Sequence, residues 1–543
     1  MNSYALNNII RTSLPNKERS FRIPDANHKP EKFALKSIEL IKGSKYADDV
    51  TQNYKRAEIT NESLISDLYR NNGPGVPHCQ DVSYIRALKL LSSKLLDNGE
   101  KLKTVHFTAV RMYDLNKSGS AELPYVEDAE FINYVHSRFR LGEIENLSLS
   151  KGNGWNMILE KERIKIHQIK DKRLPFIKMV HDTRMHARSH LTTVEKADKV
   201  RAVYGVCCTI ILAEIMILWP LINRIKSMND PFIAWGFETF RGGLQKIRER
   251  VCEYDVHLNL DFSTFDKLIP FWLIDDIHQV WKENYEIGPY YEDDPRYPRP
   301  KTTPERINNI WEFVNFSTKH TPYRAPDGSR YLRKHSGIAS GQLQTQLLGS
   351  CVNYVIIVSA LLDFGLSEDQ FKVYVMGDDS LISIRYVNDP KIILSHISVY
   401  VKHNFNAIVN PDKCSISVGP DSIQFLGYKF KDGAITRVNN DLLAKLVYPE
   451  KAHFTLESTK SRAAGILLAN LGYDLDIHVI CCNILRKLES TAINLKGLNW
   501  HDRKRIEYYI SNFIDTPTRD DLFRTALTPQ DYPGDQNWRK FLR

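Results

Sequence analysis

Apolar residues fall into a few long helical runs and several short, strand-like ones. Tyr84 to Leu96 is apolar at helical spacing, and Trp272 to Trp281 and Pro390 to His403 also read as helices. A long apolar helix is predicted from about Leu343 to Leu362. Val203 to Ile222 is almost wholly apolar and has the length of a membrane span. Glu214 near its middle, Gly205 near its start and Pro220 near its end interrupt it. An ionisable group is costly in lipid, so this stretch reads as a buried helix of a large core. The β-prone runs are Val256 to Phe262, Phe371 to Met376, Leu381 to Ile384 and Ile423 to Phe430, the last turning at Asp432-Gly433. Residues 1–60 are polar, with Pro15, Pro24 and Pro30 and little periodicity, which predicts an extended arm or a partly disordered tail. From 440 onward the chain reads as mainly helical. It ends in an aromatic, basic tail with Trp500, Tyr508, Tyr509, Tyr532 and Trp538.

The length, 543 residues, exceeds one simple core and predicts several subdomains. A hydrophobic share of 42% and a charged share of 26% are ordinary for a globular protein. The net charge of +9 favours a polyanionic partner. Eight cysteines without CxxC spacing, four of them in the adjacent pairs Cys207-Cys208 and Cys481-Cys482, fit a reduced, cytoplasmic setting. The polar, charged N-terminus gives no sign of a secretory signal.

Candidate chemistry centres on Gly377-Asp378-Asp379, set between two β-prone runs and read as the tip of a hairpin. Its carboxylates suit Mg²⁺ or Mn²⁺; the plain alternative is a solvated turn. Asp261 is placed at the end of the strand from Val256, and Asp266 at the following turn. Two carboxylates on separate strands are how distant sequence builds a two-metal site for phosphoryl transfer. A basic stretch, Lys161 to Arg173, continues through Lys178, Arg184, Arg188, Lys196, Lys199 and Arg201, and a cationic segment anchored on a buried helix can hold phosphates. His335-Ser336-Gly337-Ile338-Ala339-Ser340-Gly341-Gln342 is a flexible loop opening a helix, able to present backbone N–H groups to an anion or simply to cap it. Asn71 to Pro77 is a tight loop, and residues 286–304 look like an insertion.

These pieces, taken in order, resemble a viral RNA-dependent RNA polymerase. Gly73 to Pro77 is similar to that family's motif G, Lys196 to Gly205 to F, Asp261 to Asp266 to A, Ser336 to Asn353 to B, Gly377 to Asp379 to C, Pro390 to Lys413 to D and Phe425 to Tyr428 to E. Asp-Phe-Ser-Thr-Phe-Asp, Ser-Gly-Ile-Ala-Ser-Gly and Lys-Val-Arg-Ala-Val-Tyr-Gly look most like partitivirus polymerases, with picobirnaviruses next. The resemblance implies Mg²⁺, or Mn²⁺, held by Asp261 and Asp378 with Asp379 assisting. It implies a ribose sensor at Asp266, a mobile loop at Ser340 and Gly341, a triphosphate grip at Lys199 and Arg201, and an acid for pyrophosphate at Lys413. Thr345 fits the motif B pattern, but Gly349 stands where Asn or Asp is often found; Asn353, one helical turn on, is the alternative ribose-reading position.

The implied fold is α+β and mainly helical, a right hand with an antiparallel palm sheet. Residues 1–60 form an arm bridging fingers and thumb; 61–254 and the insertion 285–334 form fingers; 255–284 and 335–440 form palm; and 441–543 form thumb and tail. Implied partners are RNA template and product, ribonucleoside triphosphates and a viral capsid protein, with no membrane. The implied setting is the virion interior and host cytoplasm, and the activity is transcription and replication of a double-stranded RNA genome. The tail from Trp500 to Arg543 is expected either to fold back as an aromatic platform for primer-independent initiation, which deletion of residues 528–543 would weaken, or to pack on the thumb or contact the capsid. A reverse transcriptase is the near alternative, but it normally carries Tyr-x-Asp-Asp where this chain has Met376-Gly377-Asp378-Asp379. A non-catalytic RNA-packaging protein shares the basic charge but has no use for the acid set.

Overall fold

A computed structural model describes residues 7–23, 29–70, 72–96, 99–385, 388–437, 441–450, 455–493 and 517–529. About half of the chain is helical, with several small sheets between the helices.

The sheet that positions the acidic residues has four antiparallel strands, in the order Phe371–Met376, Asp379–Ile384, Val256–Leu260, Ser415–Val418. Its two hairpin strands are apolar on both faces because both faces are covered. Val373, Val375, Ile382, Ile384, Leu258 and Leu260 pack into the main core with the helix Thr345–Asp363. Tyr374 and Leu381 point the other way, onto Leu244, Ile247, Phe425 and Ile435. Burying a side chain of this size is worth roughly 1.5–3 kcal/mol, so a one-residue slip of this hairpin would cost several such terms.

The two longest apolar helices, Cys208–Ser227 and Thr345–Asp363, meet a membrane span in length and composition, yet 83% and 89% of their apolar windows are buried inside the protein. Glu214 is fully buried in the first, and Pro220 lies inside it rather than ending it. The apolar run begins differently from the expectation: Val200–Gly205 is a strand, and the helix starts only at Cys208. Gly205 marks the change. A Cβ there would lie 2.4 Å from the Glu122 carboxyl, which holds Arg184 and His186 of the neighbouring strand.

The strand Val200–Gly205 is one edge of a five-stranded sheet, in the order Ile9–Ser13, Arg330–Arg333, Tyr323–Arg324, Thr183–Ser189, Val200–Gly205. Its far edge comes from the N-terminal stretch, and this corrects the expectation of an extended arm. Residues 32–42 and 44–53 are helices whose Ala34, Ile38 and Ala47 bury against Leu442, Leu446, Ile477 and Ile480. One stretch thus touches both the five-stranded sheet and the C-terminal helices. A second correction concerns Ile423 to Phe430, which is not one strand. Leu426 and Gly427 both have positive φ, 52° and 76°, and turn the chain back so that Phe425 pairs with Tyr428.

All eight cysteines are free thiols. The helix Arg519–Leu527 packs its Ala526 into the cluster of Leu244, Ile247, Phe425 and Ile435, and Thr528 after it lies against Gly242. Tyr508, Tyr509, Trp500, Tyr532 and Trp538, and all but the first two residues of the segment 528–543, lie outside the described residues.

Candidate active site

The acidic tip is a two-residue turn. Met376 pairs with Asp379, leaving Gly377 and Asp378 to close the hairpin. Gly377 has φ +64°, a conformation glycine adopts without penalty. The turn rests on the helix Thr345–Asp363. Ser350 Oγ accepts from the Gly377 N–H at 2.8 Å, and the Asn353 amide donates to the carbonyls of Gly377, at 2.9 Å, and Asp379, at 3.2 Å. Gly349 faces the turn between them, where a Cβ would lie 3.7 Å from the Gly377 Cα. Asn353 is fully buried, so its side chain holds the turn from beneath.

Asp261 arrives from the neighbouring strand. Ser380 pairs with Leu260, so one further step in register sets Asp379 opposite Asp261. Asp378 and Asp379 are exposed at the tip and Asp261 is half-exposed. Burial at the rim, and the charges of Asp378 and Asp261, push the Asp379 carboxyl up to about 6. The acids therefore crowd one another.

After Asp261 the chain pairs briefly with Ile408–Val409, and Thr264, at φ +52°, starts the short helix Phe265–Leu268. Asp266 is in its first turn. Burial raises its carboxyl, Lys267 and Arg201 oppose that, and Asp378 adds to it. Asp266 thus shares one electrostatic neighbourhood with Arg201 and Asp378. Its carbonyl accepts from the Ile338 N–H at 2.9 Å, which joins this turn to the Ser-Gly loop.

The cations stand around Asp261. Lys413 Nζ lies 3.2 Å from Asp261 Oδ2. Burial lowers the Lys199 ammonium, as do the neighbouring charges of Arg201, Lys413 and Arg70, while Asp261 opposes them. In the strand Val200–Gly205, Val200, Ala202 and Tyr204 are buried and Arg201 faces out, the alternation of an extended chain.

The Ser-Gly loop is tied at both ends. Fully buried Asn8 accepts at Oδ1 from the backbone N–H groups of Lys334, His335 and Ser336, at 3.0, 2.9 and 3.2 Å, and donates to the Ser336 carbonyl at 3.0 Å. At the other end Glu214 accepts from the Leu343 N–H at 2.8 Å and from Gln344 Nε2 at 2.7 Å. Between these anchors Ser340 is exposed, Thr345 Oγ1 donates to the Ala339 carbonyl at 2.7 Å, and Gly341 lies against Tyr204.

The donors fit a hard divalent cation: carboxylate oxygens from two strands, with Asp378 and Asp261 close enough to raise the proton affinity of Asp379. Among the described residues, no three His, Cys, Asp or Glu side chains are grouped closely enough to hold a metal ion. The oxygen ligands the site offers are those of Asp261 and Asp379, opposite one another on neighbouring strands, and of Asp378 beside them.

A family model described as viral RNA-dependent RNA polymerase matches residues 93–475, most of the chain and all the acids and cations above except Arg70. The chain belongs to that family. This polymerase is similar to the RNA-directed RNA polymerase of Atkinsonella hypoxylon virus (isolate 2H), 25% identical over 506 residues that cover 83% of this chain and 74% of the relative. It is likewise 25% identical to the RNA-directed RNA polymerase of White clover cryptic virus 1 (isolate Boccardo/2004), over 359 residues, 64% of this chain and 58% of that relative's length. Both are of the partitivirus-like kind to which the motifs pointed. Family membership decides against the reverse-transcriptase and packaging alternatives.

Sequence reasoning on this polymerase missed Asn8, Asp67, Arg70 and Glu214 as parts of the site. Glu214 alone carried a signal, an acid in an apolar helix. Asn8, Asp67 and Arg70 lie in stretches without motif, and only the fold brings Asn8 to the backbone at Lys334, Arg70 beside Lys199, and the Asp67 carboxylate to the N–H of Ala202, next to Arg201.

Proposed function

We propose that this enzyme makes RNA on an RNA template by two-metal nucleotidyl transfer, and that it transcribes and replicates a double-stranded RNA genome. The observation that carries the reading is the convergence of Asp261, Asp378 and Asp379 beside Lys199, Arg201, Arg70 and Lys413. Asp261 and Asp378 would hold Mg²⁺, with Mn²⁺ as substitute, and Asp379 would assist. When bound, such ions activate an attacking 3′-hydroxyl and stabilise the charge of a leaving pyrophosphate.

The chain's own residues do the rest. Lys199 and Arg201 bind the triphosphate and neutralise charge on it as the 3′-oxygen to α-phosphorus bond forms and the bond to the β-phosphate oxygen breaks. Lys413, an ammonium beside Asp261, gives a proton to the leaving pyrophosphate and regains one from water. Asp266, held by the loop at Ile338, reads the ribose. Asn353 supports the acidic turn from beneath, in place of the ribose contact expected of it. Ser340, Gly341 and Thr345 form the loop and helix start beside template and nucleotide.

In this reading 61–254 and 285–334 are fingers, 255–284 and 335–440 palm, and 441–543 thumb and tail, with residues 1–60 bridging fingers and thumb. The pairing of Ile9–Ser13 with Arg330–Arg333, and the packing of Ala34 and Ile38 on Ile477 and Ile480, support the bridge. The setting is the virion interior and the host cytoplasm, with a capsid protein as partner. The test is incorporation of ribonucleotides on a primed RNA template with Mg²⁺. The parent should extend the primer, and Asp378→Ala or Asp261→Ala should fall to background while melting like the parent. Activity of either variant within about tenfold of the parent, some 1.4 kcal/mol of barrier, would overturn the metal assignment.

A further inference from the structure

We propose that Asp67 is a positioning residue: it fixes the spacing between the strand carrying Lys199 and Arg201 and the turn carrying Asp266, and so couples the grip on the triphosphate to the choice of sugar. This rests on the polymerase reading above.

Asp67 lies in the helix Asn61–Tyr69 and is 3% exposed. Its Oδ2 accepts from the backbone N–H of Ala202 at 2.8 Å, and its Oδ1 takes the Lys267 ammonium at 2.6 Å. The same ammonium donates to the Asp67 backbone carbonyl at 2.5 Å. Ala202 directly follows Arg201, and Lys267 directly follows Asp266. One carboxylate therefore spans from the neighbour of the phosphate-binding arginine to the neighbour of the ribose-reading acid.

The need for such a strut follows from the topology. Val200–Gly205 is the last strand of its sheet, so its outward N–H groups have no further strand to pair with. A buried N–H without an acceptor is costly, and the Asp67 carboxylate supplies one. The short helix Phe265–Leu268 starts from a left-handed residue, Thr264, and is too brief to fix its own orientation. The Lys267 side chain, 11% exposed, anchors it to the same carboxylate. Removing one partner of a buried charged pair leaves the other uncompensated, so neither end holds its place alone. Arg201 and Asp378 both act on Asp266, so a shift of the strand against the turn changes the surroundings of Asp266 directly.

A residue that merely stabilised the fold would lower the melting temperature and the amount of active enzyme, leaving nucleotide affinity and sugar preference alone. The experiment measures single-nucleotide extension of a primed RNA template, with ribo- and deoxynucleotides, by the full chain. Parent, Asp67→Asn, Lys267→Met and the double variant are compared. Each single variant should raise the ribonucleotide KM about tenfold and narrow the ribo-to-deoxy ratio of kcat/KM by a similar factor, with kcat within about threefold. The double variant should be no worse than the worse single, because both remove the same link. Lys267→Met keeps the acceptor for Ala202 and gives the same readout if Asp67→Asn does not fold. Single variants with unchanged KM and unchanged sugar ratio, or with a loss confined to kcat, overturn the proposal. A parent that extends no primer overturns the polymerase reading itself, and the proposal with it.

Discussion

Gly341 is pressed against the carbonyl of Tyr204: a Cβ on Gly341 would lie 1.6 Å from that oxygen and 2.9 Å from its carbon. No side chain fits there without moving backbone, and the backbone it would move belongs to the strand that carries Arg201. The contact locks the Ser-Gly loop to the cationic strand at one point. Ser340, one residue before it, stays exposed.

Gly341→Ala should therefore impair nucleotide binding more than a surface glycine substitution does. The added methyl displaces either the loop or the strand, and overpacking of this kind costs about 1–3 kcal/mol. The ribonucleotide KM should rise about tenfold or more, with a lower melting temperature. Gly365→Ala is the control for a glycine with open space around it, though its φ of +97° adds strain of its own. Equal KM values for Gly341→Ala and the parent would show that the two backbones part freely.

Asn353 and Asp266 separate support of the acidic turn from reading of the sugar. Asn353 donates to two carbonyls of the turn and is fully buried, while Asp266 is partly open beside Arg201 and Asp378. Asn353→Ala strands those carbonyls in the interior, each loss costing about 1–3 kcal/mol. It should reduce kcat about tenfold or more and leave the ribo-to-deoxy ratio near that of the parent. Asp266→Ala should narrow the ratio, because a site built to hydrogen-bond a hydroxyl penalises an analogue lacking it. A large change of the ratio in Asn353→Ala would make it a reader of the ribose in its own right.

The parts of this fold visible in the sequence are those with a strong period or a charged interruption. The helix Thr345–Asp363 and the hairpin around Gly377 stand out because both faces of each are apolar. The second half of the strand Val200–Gly205 reads as part of the apolar run that follows, because from Val203 the chain leads without a polar break into Cys207 and Cys208. The turn at Leu426-Gly427 was hidden by leucine, a residue seldom found at positive φ. In the N-terminal stretch, the helix Lys32–Lys42 offers only Ala34 and Ile38 as fully buried apolar positions, too few to show a period against its lysines. The acids were legible as types. Their supports Ser350 and Asn8 were not, since a polar side chain that serves a distant backbone carries no local signature; Asn353 stands out in the sequence, but as a reader of ribose and not as the support of the turn that its hydrogen bonds make it.

Asn8 gives the N-terminal stretch a measurable role. Its amide holds four backbone groups at Lys334, His335 and Ser336, just before the Ser-Gly loop, and the Ile9 N–H is itself held by Asn72 Oδ1 at 3.0 Å. Asn8→Ala should free the start of the loop, faster amide exchange at residues 334–338 being the direct sign, and lower extension activity about tenfold. Asn8→Asp keeps the acceptor for three N–H groups but sets a charge against the Ser336 carbonyl, so it should restore part of the protection. Exchange at 334–338 that is the same in all three proteins would remove Asn8 from control of the loop.

Glu214 sets the pH dependence of the other end. Burial pushes its carboxyl from 4.5 up to about 8, although the hydrogen bonds from Gln344 and the backbone pull the other way. Among the described residues no cation enters its hydrogen-bonded surroundings: Gln344 links it to Thr318 and to His278, which burial keeps neutral down to about 4, and Tyr113 lies near on the remaining side. Because the folded pKa is raised, the unfolded chain gives up this proton near 4.5 while the folded one keeps it to about 8. The stability this contributes is present in full below about 4.5 and is lost as pH rises to 8, at up to about 1.4 kcal/mol per pH unit, and the contribution is flat beyond. Glu214→Gln has no proton to lose. Its stability relative to the parent should rise across pH 5 to 8, read as the difference in denaturant midpoint at matched slopes. The variant retains one acceptor for Leu343 or Gln344 but not both, so it should be the less stable protein at pH 5 and close the gap toward pH 8. A difference that stays constant over this range would place the carboxylate in the ionised form throughout, with its two hydrogen bonds outweighing burial.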